Sequence, residues 1–155
     1  TFKIFLPLVD IPAEIPKSES ISIPESSGGS ETILIAEDDT SVRLFLKSIL
    51  EQYGYTVIET CDGAEAVEEF IHNIERIDMI ILDVVMPKLN GKEAYGIMNE
   101  MKAGVPVLFS SGYTAEIIHG KGIMEKELNF ISKPFSSQTL LTKVRQILSS
   151  ETVNR

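Results

Sequence analysis

The chain contains five short runs of apolar residues, and polar residues do not alternate with apolar ones inside these runs. Runs of this kind are typical of strands that are covered on both faces, as in a parallel sheet. They predict strands at residues 32–36, 56–58, 79–82, 105–109 and 130–131.

The segments between these runs carry apolar residues at helical spacing. Residues 42–50 and 140–148 show it most clearly, residues 64–73 and 92–102 supply two more helices, and residues 115–119 a short one. We expect Asn90 to be the helix cap or turn partner before the helix at 92–102, and Gly91 to serve a turn with a positive φ there. Strand and helix therefore alternate five times. This alternation predicts an α/β fold, with a doubly wound parallel sheet and helices on both faces.

The segment upstream of the first strand has a different composition. Residues 11–30 are mostly Pro, Ser, Glu and Gly and end in SSGGS, so they predict a flexible linker over residues 10–31. The chain starts at Thr1 without a methionine, so we expect it to be a piece of a longer protein.

Charge and composition exclude several classes of function. The formal charge of −9 argues against a nucleic-acid partner, which needs basic surface. The single cysteine, Cys61, excludes an internal disulfide or a cysteine metal cluster and suits a reducing compartment, so we expect a cytoplasmic location and a buried thiol. The apolar stretches are too short to span a bilayer, so we expect no membrane contact by this segment.

Acidic residues follow two of the predicted strands. Glu37, Asp38 and Asp39 come directly after the first, and Asp83 comes directly after the third. At neighbouring strand ends their mutual repulsion is costly unless a cation joins them, and so sparse a carboxylate cluster suits Mg²⁺. The alternative for Asp38 and Asp39 is ordinary capping of the following helix.

A hydroxyl and an ammonium are predicted at the same edge. The fourth run ends in Ser110 and Ser111, and Lys133 follows the fifth. Each alone is consistent with an ordinary loop residue. Together with the acids they could serve phosphoryl transfer, in which a carboxylate attacks phosphorus while a metal, an ammonium and a hydroxyl stabilise the transferred group.

Four motifs in register make the region 32–150 resemble the receiver domain of two-component response regulators. They are ILIAEDD at residues 33–39, ILDVVMP at 81–87 with Gly91 four residues on, PVLFSSG at 106–112 and KPF at 133–135. The resemblance implies a flavodoxin-like (βα)5 fold with strand order 2-1-3-4-5. It also implies a cis peptide bond before Pro134.

The resemblance assigns the phosphoacceptor and the metal ligands. Asp83 accepts a phosphoryl group from a phosphohistidine, and Asp38 binds Mg²⁺ directly beside it, with Mn²⁺ as a possible substitute. Glu37 acts through metal-bound water, and the backbone carbonyl of Val85 completes the protein ligands. Glu37 stands where an aspartate is commoner, and its extra methylene could relax the metal geometry.

The resemblance also implies a conformational switch. Ser111 bonds the phosphoryl group and Lys133 pairs with Asp83 or its phosphate. The added charge draws Ser111 inward, and Phe130 rotates into the space behind it, which changes the surface around the fourth and fifth strands. The alternative for Phe130 is a plain core residue. Val85 and Tyr113 stand where polar residues orient the hydrolytic water in some family members, so we expect slow dephosphorylation.

The first residues resemble another domain. TFKIFLP at residues 1–7 is similar to the last strand of the ATP-binding domain of histidine kinases. We therefore expect residues 1–9 to be a remnant of that strand, followed by the linker at 10–31, a receiver at 32–150 and a tail at 151–155. We then expect the parent to be a hybrid sensor histidine kinase, and a membrane anchor in that parent is an open alternative.

The expected partner is a histidine kinase dimerisation domain or a histidine phosphotransfer protein, with a weak homodimer as a further possibility. Receivers catalyse their own phosphotransfer and dephosphorylation, but no kinase catalytic residues lie in this chain.

Three rival interpretations each conflict with particular residues. An aspartyl phosphatase would carry a second aspartate where Val85 stands, and a degenerate receiver would lack one of Asp83, Asp38 or Lys133. A flavodoxin-like cofactor binder would need a hydroxyl-rich or glycine-rich loop after the first strand, where the acids lie.

Overall fold

The computed structural model describes residues 28–112 and 129–152, with side chains up to residue 150. Five strands and four helices lie in these ranges. The strands are β1 (Thr32–Ala36), β2 (Thr56–Thr60), β3 (Ile77–Asp83), β4 (Val107–Ser111) and β5 (Asn129–Ser132), and the helices are α1 (Thr40–Gln52), α2 (Gly63–His72), α3 (Gly91–Met101) and α4 (Ser137–Thr152).

All strand pairs are parallel, and their order is β2-β1-β3-β4-β5. The predicted fold class and strand order are therefore confirmed. Ala36 lies opposite Leu82, Asp83 opposite Ser110, and Ser111 opposite Ser132. This register brings the carboxyl ends of β1, β3, β4 and β5 to one edge of the sheet, which we call the carboxyl edge.

Helices cover both faces of the sheet because successive strand residues point to opposite sides. One core cluster joins Leu34, Leu82 and Phe109 to Phe70 of α2 and Met98 of α3.

The other cluster joins Ile33, Ile81 and Leu108 to Leu46 of α1 and Leu141 of α4. Strands covered twice can be apolar throughout, which explains the unbroken runs in the sequence.

Side chains that follow the strands cap three of the helices. Asp39 accepts from the amides of Ser41 and Val42 at 2.8 and 3.0 Å, and Asp62 caps α2 in the same way. Asn90 caps α3 in a reciprocal capping box with Glu93. The cap predicted at Asn90 is confirmed, and each of these three loops is fixed where it enters its helix.

Several sequence predictions lie outside the described residues. They are the strand remnant at 1–9, most of the linker, the short helix at 115–119 and Tyr113. The last linker residues are described and lie against the domain, where Gly29 donates to the carbonyl of Tyr53 at 3.1 Å. Glu31 pairs with Arg145 of α4 at 2.8 Å. In the described ranges, no helix is long and apolar enough to cross a bilayer.

Two local expectations are wrong. Cys61 is exposed because β2 ends at Thr60, the residue before it, so the Cys61 thiol lies in a surface loop. Gly91 was expected to have a positive φ, but the positive φ in that loop belongs to Lys88, at 63°. Gly91 is instead a close-approach position, because a β-carbon there would overlap the carbonyl oxygen of Asp83.

Candidate functional site

Three carboxylates gather at the carboxyl edge. Glu37 directly follows β1, Asp38 comes next, and Asp83 ends the neighbouring β3. One oxygen from each lies within 4.8 Å of the others. Glu37 is 1% exposed and Asp83 8%, whereas Asp38 is exposed. Asp39 caps α1, so the two readings of the acidic run both apply: Asp39 is a helix cap and Asp38 is a member of the cluster.

Lys133 crosses from the end of β5 to this cluster. Its ammonium lies 2.8 Å from Asp83 and 2.6 Å from Glu37. Burial acts to lower the pKa of Lys133, but its bonds to Asp83 and Glu37 outweigh burial and raise that pKa. The ammonium therefore stays charged between the two carboxylates. The peptide bond between Lys133 and Pro134 is cis, as the resemblance implied.

The acidic cluster leaves a negative charge that one ammonium does not offset. Burial raises the pKa of the Glu37 carboxyl; the hydrogen bond from Lys133 opposes this rise, and the nearby charge of Asp83 adds to it. Hard oxygen donors at this mutual spacing fit one divalent cation of the Mg²⁺ kind, with waters completing its shell. Glu37, Asp38 and Asp83 are the residues that would hold it.

The loop after β3 is tied to the acidic cluster. The amide of Val85 donates to Oδ1 of Asp83 at 3.3 Å, while the side chain of Val85 is exposed. The amide of Gly91 donates to the carbonyl of Val84 at 3.2 Å, which folds α3 back onto the strand end. The main chain of Val85 is thus held beside the Asp83 carboxylate.

Ser111 and Phe130 lie on the adjoining strands. Ser111 ends β4, is 1% exposed, and accepts through its carbonyl from the amide of Lys133 at 2.8 Å. Phe130 lies opposite Phe109 in β5 and is half-buried against the cluster that contains Phe109. Phe109 in turn packs edge-on against Tyr95 of α3.

Sequence reasoning missed two side chains around the site. Arg43 of α1 donates to the carbonyl of Glu37 at 2.7 Å, although its helical position gave no sign of this role. Lys88 pairs with the buried Asp62 at 2.5 Å and so ties the loop after β3 to the loop after β2. The positive φ of Lys88 could not be predicted from the sequence, because lysine rarely adopts that conformation.

The comparisons with known proteins agree with this geometry. The family model for the response regulator receiver domain matches residues 33–145. The sensor kinase CckA of Brucella abortus (strain 2308) is 30% identical over 158 residues, which take in 97% of this chain and 17% of the kinase. The chain thus spans less than a fifth of that relative.

Solved structures show the same likeness. The receiver domain of the hybrid histidine kinase CckA is 33% identical with a TM-score of 0.65, covering 76% of this chain and 98% of that one. A chain of the CheX-CheY-BeF3-Mg+2 complex from Borrelia burgdorferi is 27% identical with a TM-score of 0.67, covering 76% and 88%.

The chain belongs to the response regulator receiver family. It contains a receiver domain of two-component signalling. Receiver domains as a class bind Mg²⁺ at an acidic pocket and interact with histidine kinases or phosphotransfer proteins, and this chain has such an acidic cluster.

Proposed function

We propose that Asp83 is the phosphoacceptor of this receiver and that its donor is a phosphohistidine on a kinase dimerisation domain or a histidine phosphotransfer protein. The observation that carries the proposal is the position of the Asp83 carboxylate, at a strand end between the Lys133 ammonium and two further carboxylates. A carboxylate held this way is a nucleophile with charge compensation already in place.

The chemistry follows from the contacts. An oxygen of Asp83 attacks the phosphorus, a P–O bond forms, the P–N bond of the phosphohistidine breaks, and its electron pair leaves with the imidazole. Lys133 is already within 2.8 Å of Asp83 and stabilises the negative charge on the transferred group. The hydroxyl of Ser111, at the end of the adjacent strand, bonds a phosphoryl oxygen.

Glu37, Asp38, Asp83 and the carbonyl of Val85 would hold the metal. When bound, Mg²⁺ neutralises charge on the phosphoryl oxygens, and Mn²⁺ should substitute because it accepts the same oxygen donors. Support comes from the carboxylate spacing and from the similarity to the Borrelia complex that contains BeF3 and Mg²⁺.

We infer that phosphorylation acts on the surface of β4 and β5. The half-buried Phe130 lies one strand beyond Phe109, so movement of Ser111 toward phosphate leaves room for the Phe130 ring to turn inward. Lifetimes of the phosphorylated form should be long, because the exposed apolar side chain of Val85 cannot orient an attacking water.

The parent is proposed to be a hybrid sensor histidine kinase in which this receiver lies in the cytoplasm. The alignment with CckA supports this, since it covers 97% of the chain and so extends beyond the family match at residues 33–145. Residues 1–9 would then be the end of the kinase ATP-binding domain, and 10–31 the linker.

Incubation with acetyl phosphate and Mg²⁺, followed by intact-mass measurement, tests the acceptor. The wild-type chain should gain one phosphoryl group, and Asp83→Asn should gain none. Chelation of the metal should abolish the gain. Modification of both chains, or of neither, would contradict the proposal.

A matched pair of variants tests the metal role. Asp38→Asn should raise the Mg²⁺ concentration for half-maximal phosphorylation by roughly tenfold or more. Asp39→Asn removes the same charge from the next residue but keeps a good helix cap, so it should change that concentration little.

A further inference from the structure

Arg43 lies behind the loop that carries the acidic cluster. Its Nη1 donates to the carbonyl of Glu37 at 2.7 Å and approaches the carbonyl of Asp38 at 3.4 Å. Its Nη2 lies 3.4 Å from the hydroxyl of Thr40. One guanidinium from the first turn of α1 therefore contacts two carbonyls of the loop between β1 and α1 and the hydroxyl of the first residue of α1.

An ion pair holds the guanidinium from its other side. Nε of Arg43 lies 4.0 Å from Glu59 of β2, and Lys47 binds the same carboxylate at 2.7 Å. The side chain of Arg43 is only 16% exposed. It is thus fixed between the edge strand β2 and the loop, and cannot swing freely into solvent.

These contacts act on the two residues whose carboxylates join Asp83. A residue that follows a strand has left the ladder, so its carbonyl needs another donor when it is buried. Arg43 supplies that donor for Glu37, which is 1% exposed. The amide of Glu37 donates to the carbonyl of Thr60 at 3.2 Å, and Arg43 holds the carbonyls of Glu37 and Asp38 on the other side of the loop.

We propose that Arg43 is a positioning residue that sets the spacing of the Glu37 and Asp38 carboxylates for the divalent cation. This rests on the proposed function of the acidic cluster. A planar guanidinium with several fixed donors can hold two carbonyls and a hydroxyl at once, which the single ammonium of a lysine cannot reproduce.

The direction of the effect separates positioning from simple electrostatics. Arg43 is a cation close enough to the loop to lower the pKa of Asp39, together with the capping amides that dominate that shift. If its charge alone mattered, removing Arg43 would reduce repulsion and tighten Mg²⁺ binding. If it positions the loop, removing it should weaken Mg²⁺ binding.

The test is a calorimetric titration of Mg²⁺ into the chain without any phosphodonor. Arg43→Met should raise the dissociation constant roughly 10- to 100-fold, and Arg43→Lys should leave it several-fold weaker than wild type. Lys47→Met is the matched control, because it removes the same charge from the same helix without touching the loop carbonyls. It should stay within about twofold of wild type, or bind slightly tighter.

Circular dichroism melts without metal accompany each titration. A merely structural role would lower the melting temperature of Arg43→Met but leave its Mg²⁺ affinity unchanged, and that result would overturn the proposal. Tighter binding by Arg43→Met would overturn it too. If Arg43→Met is unfolded, Arg43→Lys decides, and wild-type affinity in that variant counts against positioning.

Failure of the wild-type chain to bind Mg²⁺ has a different meaning. It would contradict the proposed function of the acidic cluster, whereas normal wild-type binding with an unaffected Arg43→Met would contradict only the role of Arg43. Phosphorylation by acetyl phosphate gives a second measurement: saturating Mg²⁺ should restore the rate of Arg43→Met to within about threefold of wild type.

Discussion

Glu37 combines two properties that oppose each other in a folded chain. Its carboxylate is almost fully buried beside Asp83, yet the proposed metal site needs it ionised. Lys133 offsets only part of the cost, because burial still raises the pKa of Glu37. Without a cation, the ionised glutamate therefore destabilises the fold relative to a neutral side chain of the same shape.

This gives a pH-dependent prediction for Glu37→Gln. Between the ordinary glutamate pKa and the raised one, the folded chain holds this proton more tightly than the unfolded chain does. The contribution of Glu37 to the free energy of unfolding is therefore lost as pH rises through that window. Glutamine has no such proton, so its advantage over wild type should grow through the window and then level off.

Urea unfolding from about pH 4 to about pH 8, in the absence of divalent cations, measures this difference. Glu68→Gln removes the same charge from an exposed position on α2 and separates burial from net charge. A stability difference that shrinks as pH rises would show that the Lys133 pair outweighs burial at Glu37.

At this scale the sequence predicted which residues meet but not how each is used. Strand ends placed Glu37, Asp38, Asp83, Ser111 and Lys133 at one edge, and the structure brings them there. The division of the acidic run into a cluster and a cap needed the turn geometry at Asp39. Cys61 was misplaced because it lies in the loop after β2, where apolar periodicity does not predict which side chains are buried.

The start of helix α3 shows how an element supports the site. Asn90 and Glu93 fix its first turn, and Gly91 lies so close to β3 that a β-carbon would overlap the carbonyl of Asp83. The helix can approach the strand end only because this position has no side chain. The loop that carries Val85 is thereby kept short and close to Asp83.

Gly91→Ala should therefore destabilise the domain by roughly 2 kcal/mol or more, because the strand end or the helix must move. Gly96→Ala lies one and a half turns further along the same helix with nothing within 4 Å of an added β-carbon. It should instead stabilise by about 0.5–1 kcal/mol through helix propensity.

Urea unfolding of both variants checks these signs, and intact-mass measurement after acetyl phosphate treatment checks the site. Gly91→Ala should also slow phosphorylation, whereas Gly96→Ala should not. Equal stability for the two alanine variants would show that α3 does not need its close approach to Asp83.

Apolar periodicity predicted the elements well because both faces of the sheet are covered. It placed the core of every described strand and helix, but it made β2, β3 and β5 too short at one or both ends and placed β4 two residues too early. The tie between Lys88 and Asp62 could not be predicted, since it joins two loops 26 residues apart and carries no periodic signal.

For the molecule as a whole, the carboxyl ends and the amino ends of the strands carry different groups of residues. The acidic cluster lies at the carboxyl edge, whereas Glu31 and the start of β1 lie at the opposite edge, which we call the amino edge. There Glu31 bonds Arg145, which connects the beginning of the described domain to its last helix. The domain is closed at the amino edge by this pair and by the Gly29 contact with Tyr53.

A double-mutant cycle with Glu31→Gln and Arg145→Met should give a coupling of about 0.5–1 kcal/mol in the free energy of unfolding. Both side chains are roughly two-thirds or more buried, so the coupling should persist better at high salt than that of a fully exposed pair. Phosphorylation of these variants should be unchanged. A coupling of zero would mean that the pair does not connect the two ends.

The Glu31 anchor has a consequence for how the domain is held in a longer protein. The upstream chain reaches the receiver at the side facing away from Asp83, one full strand length from the acids, or roughly 16 Å for a five-residue strand. A segment joined at the amino edge would leave the carboxyl edge uncovered. Its length would set how far Asp83 lies from the rest of a longer protein without changing the residues around Asp83.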